Sequence, residues 1–114
     1  HLEVGNIMTS ELLKLGLLDK ADIQNESHEK PAYKRYFMHG TSHHIGLDTH
    51  DYGLLHLPMK ENMVFTVEPG IYIPDEGFGV RLEDDVVIQK TGAPINLMRN
   101  IPIEIEEIET LMNN

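Results

Sequence analysis

The 114 residues can form one compact domain with a modest core, and 9 Lys and Arg against 19 Asp and Glu give a formal charge of -10. Such a surface repels phosphate backbones and anionic bilayers, and the absence of Cys excludes disulfides and thiolate metal sites, leaving His and carboxylates as donors. With no apolar run long enough to span a bilayer and no signal peptide in evidence, the expectation is a cytoplasmic protein without nucleic-acid or membrane partners.

Leu2, Val4, Ile7, Met8, Leu12 and Leu15 recur at helical spacing, which predicts a first helix with these residues on its apolar stripe. Gly16 suits the C-terminal cap, since glycine takes positive φ without strain. A chain that opens on His1 inside a helical stripe sets the expectation of a longer parent with sequence upstream. Residues 20–29 mix Asp, Gln, Asn, Ser, Glu and His without apolar period, so an exposed connector with one short helical turn is expected.

Residues 38–57 hold five of the seven histidines, interleaved with Gly40, Gly46 and Gly53. Residues 62–68 are rich in β-formers and stop at Pro69-Gly70, with Ile71-Tyr72-Ile73 extended beyond and a turn over 74–79. Val80-Arg81-Leu82-Glu83 alternates apolar with charged and runs on into Val86-Val87-Ile88. The pattern predicts one strand returning antiparallel, with Arg81 and Glu83 on one face. A loop at 92–94 precedes a closing helix near Pro102. Its stripe is Ile105, Ile108 and Leu111, and Glu104, Glu106 and Glu107 sit in its first turn, at the positive end of the dipole. This order reads as an α+β fold in a single domain over residues 1–114.

Three features could carry chemistry. His39 and His43 are four apart, a helical zinc spacing, but Gly40, Thr41, Ser42, Ile45 and Gly46 favour extended chain, where His43 and His44 point to opposite faces. A lone histidine is more often structural than a ligand; five together make metal binding an even proposition. Glu68 leaves an apolar strand at a Pro-Gly turn, where most carboxylates are merely solvated. Arg81 and Glu83 on one strand face read, taken alone, as a surface ion pair. Taken together, one imidazole and two carboxylates without a thiol suit a divalent ion such as Mn2+, Co2+ or Zn2+.

The ordered motifs His39-Gly40-Thr41-Ser42-His43, Gly46-Leu47-Asp48-Thr49-His50-Asp51, Thr66-Val67-Glu68-Pro69-Gly70 and Arg81-Leu82-Glu83-Asp84-Asp85 resemble the aminopeptidase P and prolidase family over nearly the whole chain. The resemblance implies the C-terminal half of a pita-bread fold, a curved antiparallel sheet backed by helices. It implies His43 and Glu68 as ligands of one metal and Glu83 as the bridge to a second. His39 and His50 would line the substrate pocket, Arg81 would act behind the ligands, and Glu68 would also transfer a proton. The implied cofactor is a pair of divalent ions, most readily Mn2+, with a metal-bridging hydroxide as nucleophile. The implied substrate is a peptide with proline at its second position.

Two aspartate ligands of the family pattern would lie upstream of His1, and Asp48 and Asp51 match other family positions. Three ligands of five remain, so this chain alone is expected to bind metal weakly and to lack peptidase activity. A sheet cut short would expose a strand edge, which favours a homo-oligomer. Two alternatives stay open: a non-catalytic pita-bread module that binds peptides or proteins, and, within the enzymes, a prolidase.

Overall fold

The structure, a computed structural model, describes residues 1–113. In chain order its elements are α1 (Leu2–Lys14), α2 (Lys20–Gln24), a 3-10 turn at Ala32–Arg35, β1 (Val64–Val67), β2 (Gly70–Ile73), a 3-10 turn at Pro74–Glu76, β3 (Phe78–Arg81), β4 (Asp84–Val87), β5 (Ile95–Asn96) and α3 (Ile105–Met112). The expected α+β composition is present, with every strand pair antiparallel. The chain divides into two compact units, the first formed by His1–Thr41 and Pro69–Arg81, the second by Ser42–Glu68 and Leu82–Asn114.

In the first unit, Met8 and Leu12 of α1 pack with Leu18, Tyr33 and Phe37 in a core against which Ile71 of β2 also rests. Leu12 and Phe37 are almost fully buried, and each such side chain contributes about 1.5–3 kcal/mol. The stripe read from sequence needs correcting. Met8 and Leu12 face inward together with Gly5, whereas Leu2, Ile7 and Leu15 are exposed. Tyr33 lies so close to the helix at Gly5 that the packed face is narrower than the apolar pattern suggests.

Helix α1 ends as expected. Gly16 has φ +72°, its N–H reaches the Leu13 carbonyl at 3.1 Å, and the Leu17 N–H reaches Leu12 at 3.0 Å, which closes a Schellman turn. The single helical turn expected within 20–29 is α2. It is capped reciprocally, with Asp22 N–H donating to Asp19 Oδ1 at 2.8 Å and Asp19 N–H donating to Asp22 Oδ2 at 3.0 Å. Arg35 then donates to Asp22 Oδ1 at 2.8 Å. β2 and β3 form a hairpin in the register Gly70↔Arg81 to Ile73↔Phe78. The turn expected over 74–79 is shorter, because Phe78 and Gly79 already belong to β3.

The second unit holds a three-stranded sheet in the order β1-β4-β5. β1 and β4 pair from Val64↔Val87 to Val67↔Asp84, and β4 pairs with β5 through Val86↔Asn96 and Val87↔Ile95. The single strand expected across residues 80–88 is in fact two. β3 ends at Arg81 and pairs with β2, while β4 starts at Asp84 and pairs with β1 and β5. Arg81 and Glu83 therefore do not share one strand face. Pro69 helps to separate the ladders, since it has no N–H to donate. β5 escaped the sequence reading because two residues leave no period to detect. α3 begins one residue later than its acidic run, with Glu104 as N-cap and Pro102 outside the helix, and none of its residues is buried.

Candidate metal centre

Strand pairing builds the site. On one edge of β1 lies β4; along the other, residues 43–45 run antiparallel, held by a bridge between His44 and Phe65. Thr66 N–H donates to the His43 carbonyl at 3.0 Å and Ile45 N–H to the Val64 carbonyl at 3.4 Å. Opposed residues share a face of the sheet and alternate residues along a strand return to it. His43 stands opposite Thr66, and Thr66 opposite Asp85. Continuing the β1–β4 register one step past Val67↔Asp84 brings Glu68 opposite Glu83. His43, Glu68 and Glu83 are thus directed to one face by register alone. His44, on the other face, stacks on Phe65 with ring centroids 4.3 Å apart. The expected divergence of the adjacent histidines is what the structure has.

One donor atom from each of His43, Glu68 and Glu83 lies within 4.8 Å of the others, the cluster of metal-ligating side chains found among the described residues. Two ligands on opposite sides of one ion, each at roughly 2.0–2.2 Å, span a similar distance. The tautomer fits as well. His43 Nδ1 is 2.8 Å from the His44 carbonyl, which can only accept, so Nδ1 carries the proton in the neutral ring and Nε2 presents a lone pair. That Nε2 is 3.2 Å from Glu68 Oε1, with both side chains largely buried at 21% and 13% exposure. An imidazole nitrogen and carboxylate oxygens brought this close are the donor types that such an ion takes. The donor set therefore fits a hard or borderline divalent ion.

His50 joins this group, its ring centroid 4.3 Å from that of His43. The loop carrying it is organised by Asp51, whose N–H donates to the His44 carbonyl at 3.0 Å while its carboxylate accepts from Leu47 N–H at 3.0 Å and Tyr52 N–H at 2.8 Å. His39 and Arg81 belong to the first unit. There His39 Nδ1 donates to the Gly40 carbonyl at 2.7 Å, which leaves Nε2 to accept from the Tyr72 hydroxyl at 2.9 Å. Its ring meets Phe37 and Tyr72 edge-on, with centroids 5.0 and 5.4 Å away. Arg81 is the last residue of β3, opposite Gly70, and is exposed.

Two participants went unrecognised in the sequence. Thr66 is fully buried between His43 and Glu68, and its position two residues before Glu68 on a strand was the available signal. Tyr72, which holds His39, gave none, being 33 residues away in the chain.

Residues 3–90 match the model of Metallopeptidase family M24. The chain belongs to this family. It is 45% identical over 122 residues to the Xaa-Pro aminopeptidase of Escherichia coli, an alignment covering 96% of this chain and 27% of the relative. It is 41% identical over 123 residues to the Xaa-Pro aminopeptidase of Haemophilus influenzae, covering 97% and 28%. Aminopeptidase PepP of Pseudomonas aeruginosa shares its fold with a TM-score of 0.83 at 38% identity, over 99% of this chain and 28% of that one. The α+β pita-bread class implied by the motifs is thus the fold class of this M24 chain. The chain spans about a quarter of the length of these relatives. Among the described residues, no helix is long and apolar enough to cross a membrane.

Proposed function

We propose that this M24 chain contributes His43, Glu68 and Glu83 to a two-metal centre in a metalloaminopeptidase that releases an N-terminal residue preceding proline. The observation that carries the reading is the convergence of these three donors within 4.8 Å, with the His43 Nδ1 proton tied to the His44 carbonyl. His43 and Glu68 would hold one ion, and Glu83, with two carboxylate oxygens, would reach a second. Three donors are too few for two ions, and no further His, Asp or Glu joins the cluster among the described residues. The remaining ligands would come from other sequence, and the 114 residues alone would bind metal weakly and not turn over.

When bound, paired divalent ions lower the pKa of water and polarise the scissile carbonyl. The chain's own side chains supply the rest. The Glu68 carboxylate accepts a proton from the attacking water and returns it to the departing proline nitrogen, the work of a general base that then acts as acid. His50, ring against ring with His43, presents a hydrogen-bonding edge to the reacting carbonyl. His39, held by Tyr72 and Gly40 within the first unit, and Arg81 of β3 would take the pocket-lining and carboxylate-orienting parts that the family motifs imply. The proposal takes Mn2+ as the ion and a cytoplasmic homo-oligomer as the setting.

The test is a chimera in which these 114 residues replace the matching segment of the E. coli relative. A chimera that melts cooperatively is expected to cleave Xaa-Pro peptides only when Mn2+ is supplied. Cooperative folding with no metal-dependent turnover overturns the reading, and turnover confined to Xaa-Pro dipeptides replaces the aminopeptidase with a prolidase.

A further inference from the structure

We infer that Thr66 is the positioning residue of this metal site, its hydroxyl locking the imidazole ligand and the carboxylate ligand into one unit. The inference rests on the metallopeptidase reading and extends it to a residue outside the ligand set. Thr66 is fully buried at the centre of the second unit's sheet. Its Oγ1 accepts from the His43 backbone N–H at 3.0 Å and lies 3.2 Å from Glu68 Oε1. A hydroxyl has a single proton. Since the His43 N–H is itself a donor, that proton is free for Glu68, where the carboxylate can only accept.

The consequence is geometric. Glu68 Oε1, the oxygen that Thr66 holds, is also the one facing His43 Nε2 at 3.2 Å. The backbone of His43 is fixed on both sides by the same residue, because Thr66 N–H donates to the His43 carbonyl as its hydroxyl accepts from the His43 N–H. Threonine is β-branched and stiff about χ1, so Oγ1 has little freedom to drift. His43 can therefore aim Nε2, and Glu68 can aim Oε1, without either ligand having to be ordered when the cation arrives. Partners that orient ligands in this way typically carry 10–100-fold in metal affinity.

The experiment titrates the chimera of this chain and the E. coli relative with Co2+, followed by its visible absorption, and with Mn2+ by calorimetry. Thr66→Val keeps the shape and removes the hydroxyl; it is expected to weaken both ions about 10–100-fold and to alter the Co2+ band shape. Thr66→Ser restores the hydroxyl and is expected to bind as the parent does. A structural role alone would lower the melting temperature and leave the affinity of the folded chain unchanged. Parent-like affinity in Thr66→Val, or equal losses in the Val and Ser variants, overturns the inference while the metal reading stands. Should Thr66→Val not fold, Thr66→Ala, which also lacks the hydroxyl, takes its place with the same expected loss, and parent-like affinity there overturns the inference. No binding of either ion by the folded, unsubstituted chimera overturns the metal reading and the inference together.

Discussion

Replacing Gly5 with alanine sets two opposed terms against each other in α1. In a helix interior alanine is favoured over glycine by about 0.8–1.0 kcal/mol. A Cβ at position 5, however, would lie 2.8 Å from Tyr33 Cε1, 3.0 Å from Cζ and 3.1 Å from Oη. Tyr33 is only 8% exposed, and its ring stands 6.3 Å from that of Phe37, itself 1% exposed, so the ring is packed on that side. Overpacking a site of this kind costs about 1–3 kcal/mol. The propensity gain is also smaller than its full value, because Gly5 lies in the first turn, its N–H bonded to the His1 carbonyl at 2.9 Å. Gly5→Ala is thus expected to lose about 1 kcal/mol net, a fall of roughly 4 °C in melting temperature by circular dichroism. In a Tyr33→Leu background the same alanine should be neutral or stabilising. A melting temperature that rises in the single variant would show that propensity outweighs packing here and refute the reasoning.

Glu83→Ala in the chimera should leave one tightly bound Mn2+ in place of two, with a larger loss than the 10–100-fold expected of an orienting partner; two ions binding with unchanged affinity by calorimetry would remove Glu83 from the bridging role. The Asp19 N–H, followed by the Arg35 guanidinium, holds the Asp22 carboxyl below its ordinary value of 3.8. A depressed folded value gives stability that is complete above pH 3.8 and lost as the pH falls through that lower value. The stability difference between the parent chain and Asp22→Asn should accordingly be constant above about pH 5 and shrink in acid, whereas a pH-independent difference in urea midpoints would contradict the assignment.

How much of this could be read from the residues depended on the range of the contact. Short-range signals were readable: Gly16 as the cap of α1, the stop at Pro69 and the divergence of His43 and His44 all follow from dihedral preference or a period of two. The strand over 80–88 was misread because alternation continues through Leu82 and Glu83, and only pairing partners reveal that β3 and β4 serve different ladders. The buried side of α1 was misjudged because the pattern marks apolar residues and not the neighbour that covers them; Tyr33 packs over a glycine. At the candidate site, the three side chains that converge were named from sequence, while the hydroxyl tying two of them together became visible only through an atom-level contact between residues 23 apart.

The strip of chain at residues 43–45 also has a bearing on solubility. It occupies the outer rim of β1, and at the opposite side the sheet finishes in the two-residue β5. Among the described residues both margins are short, so the edge expected to favour self-association is limited here to a few residues, and a long regular edge is the usual template for aggregation. The segment that carries the proposed imidazole ligand therefore also lines one margin of the sheet. A substitution that unseats it would disturb the candidate site and bare the edge of β1 together.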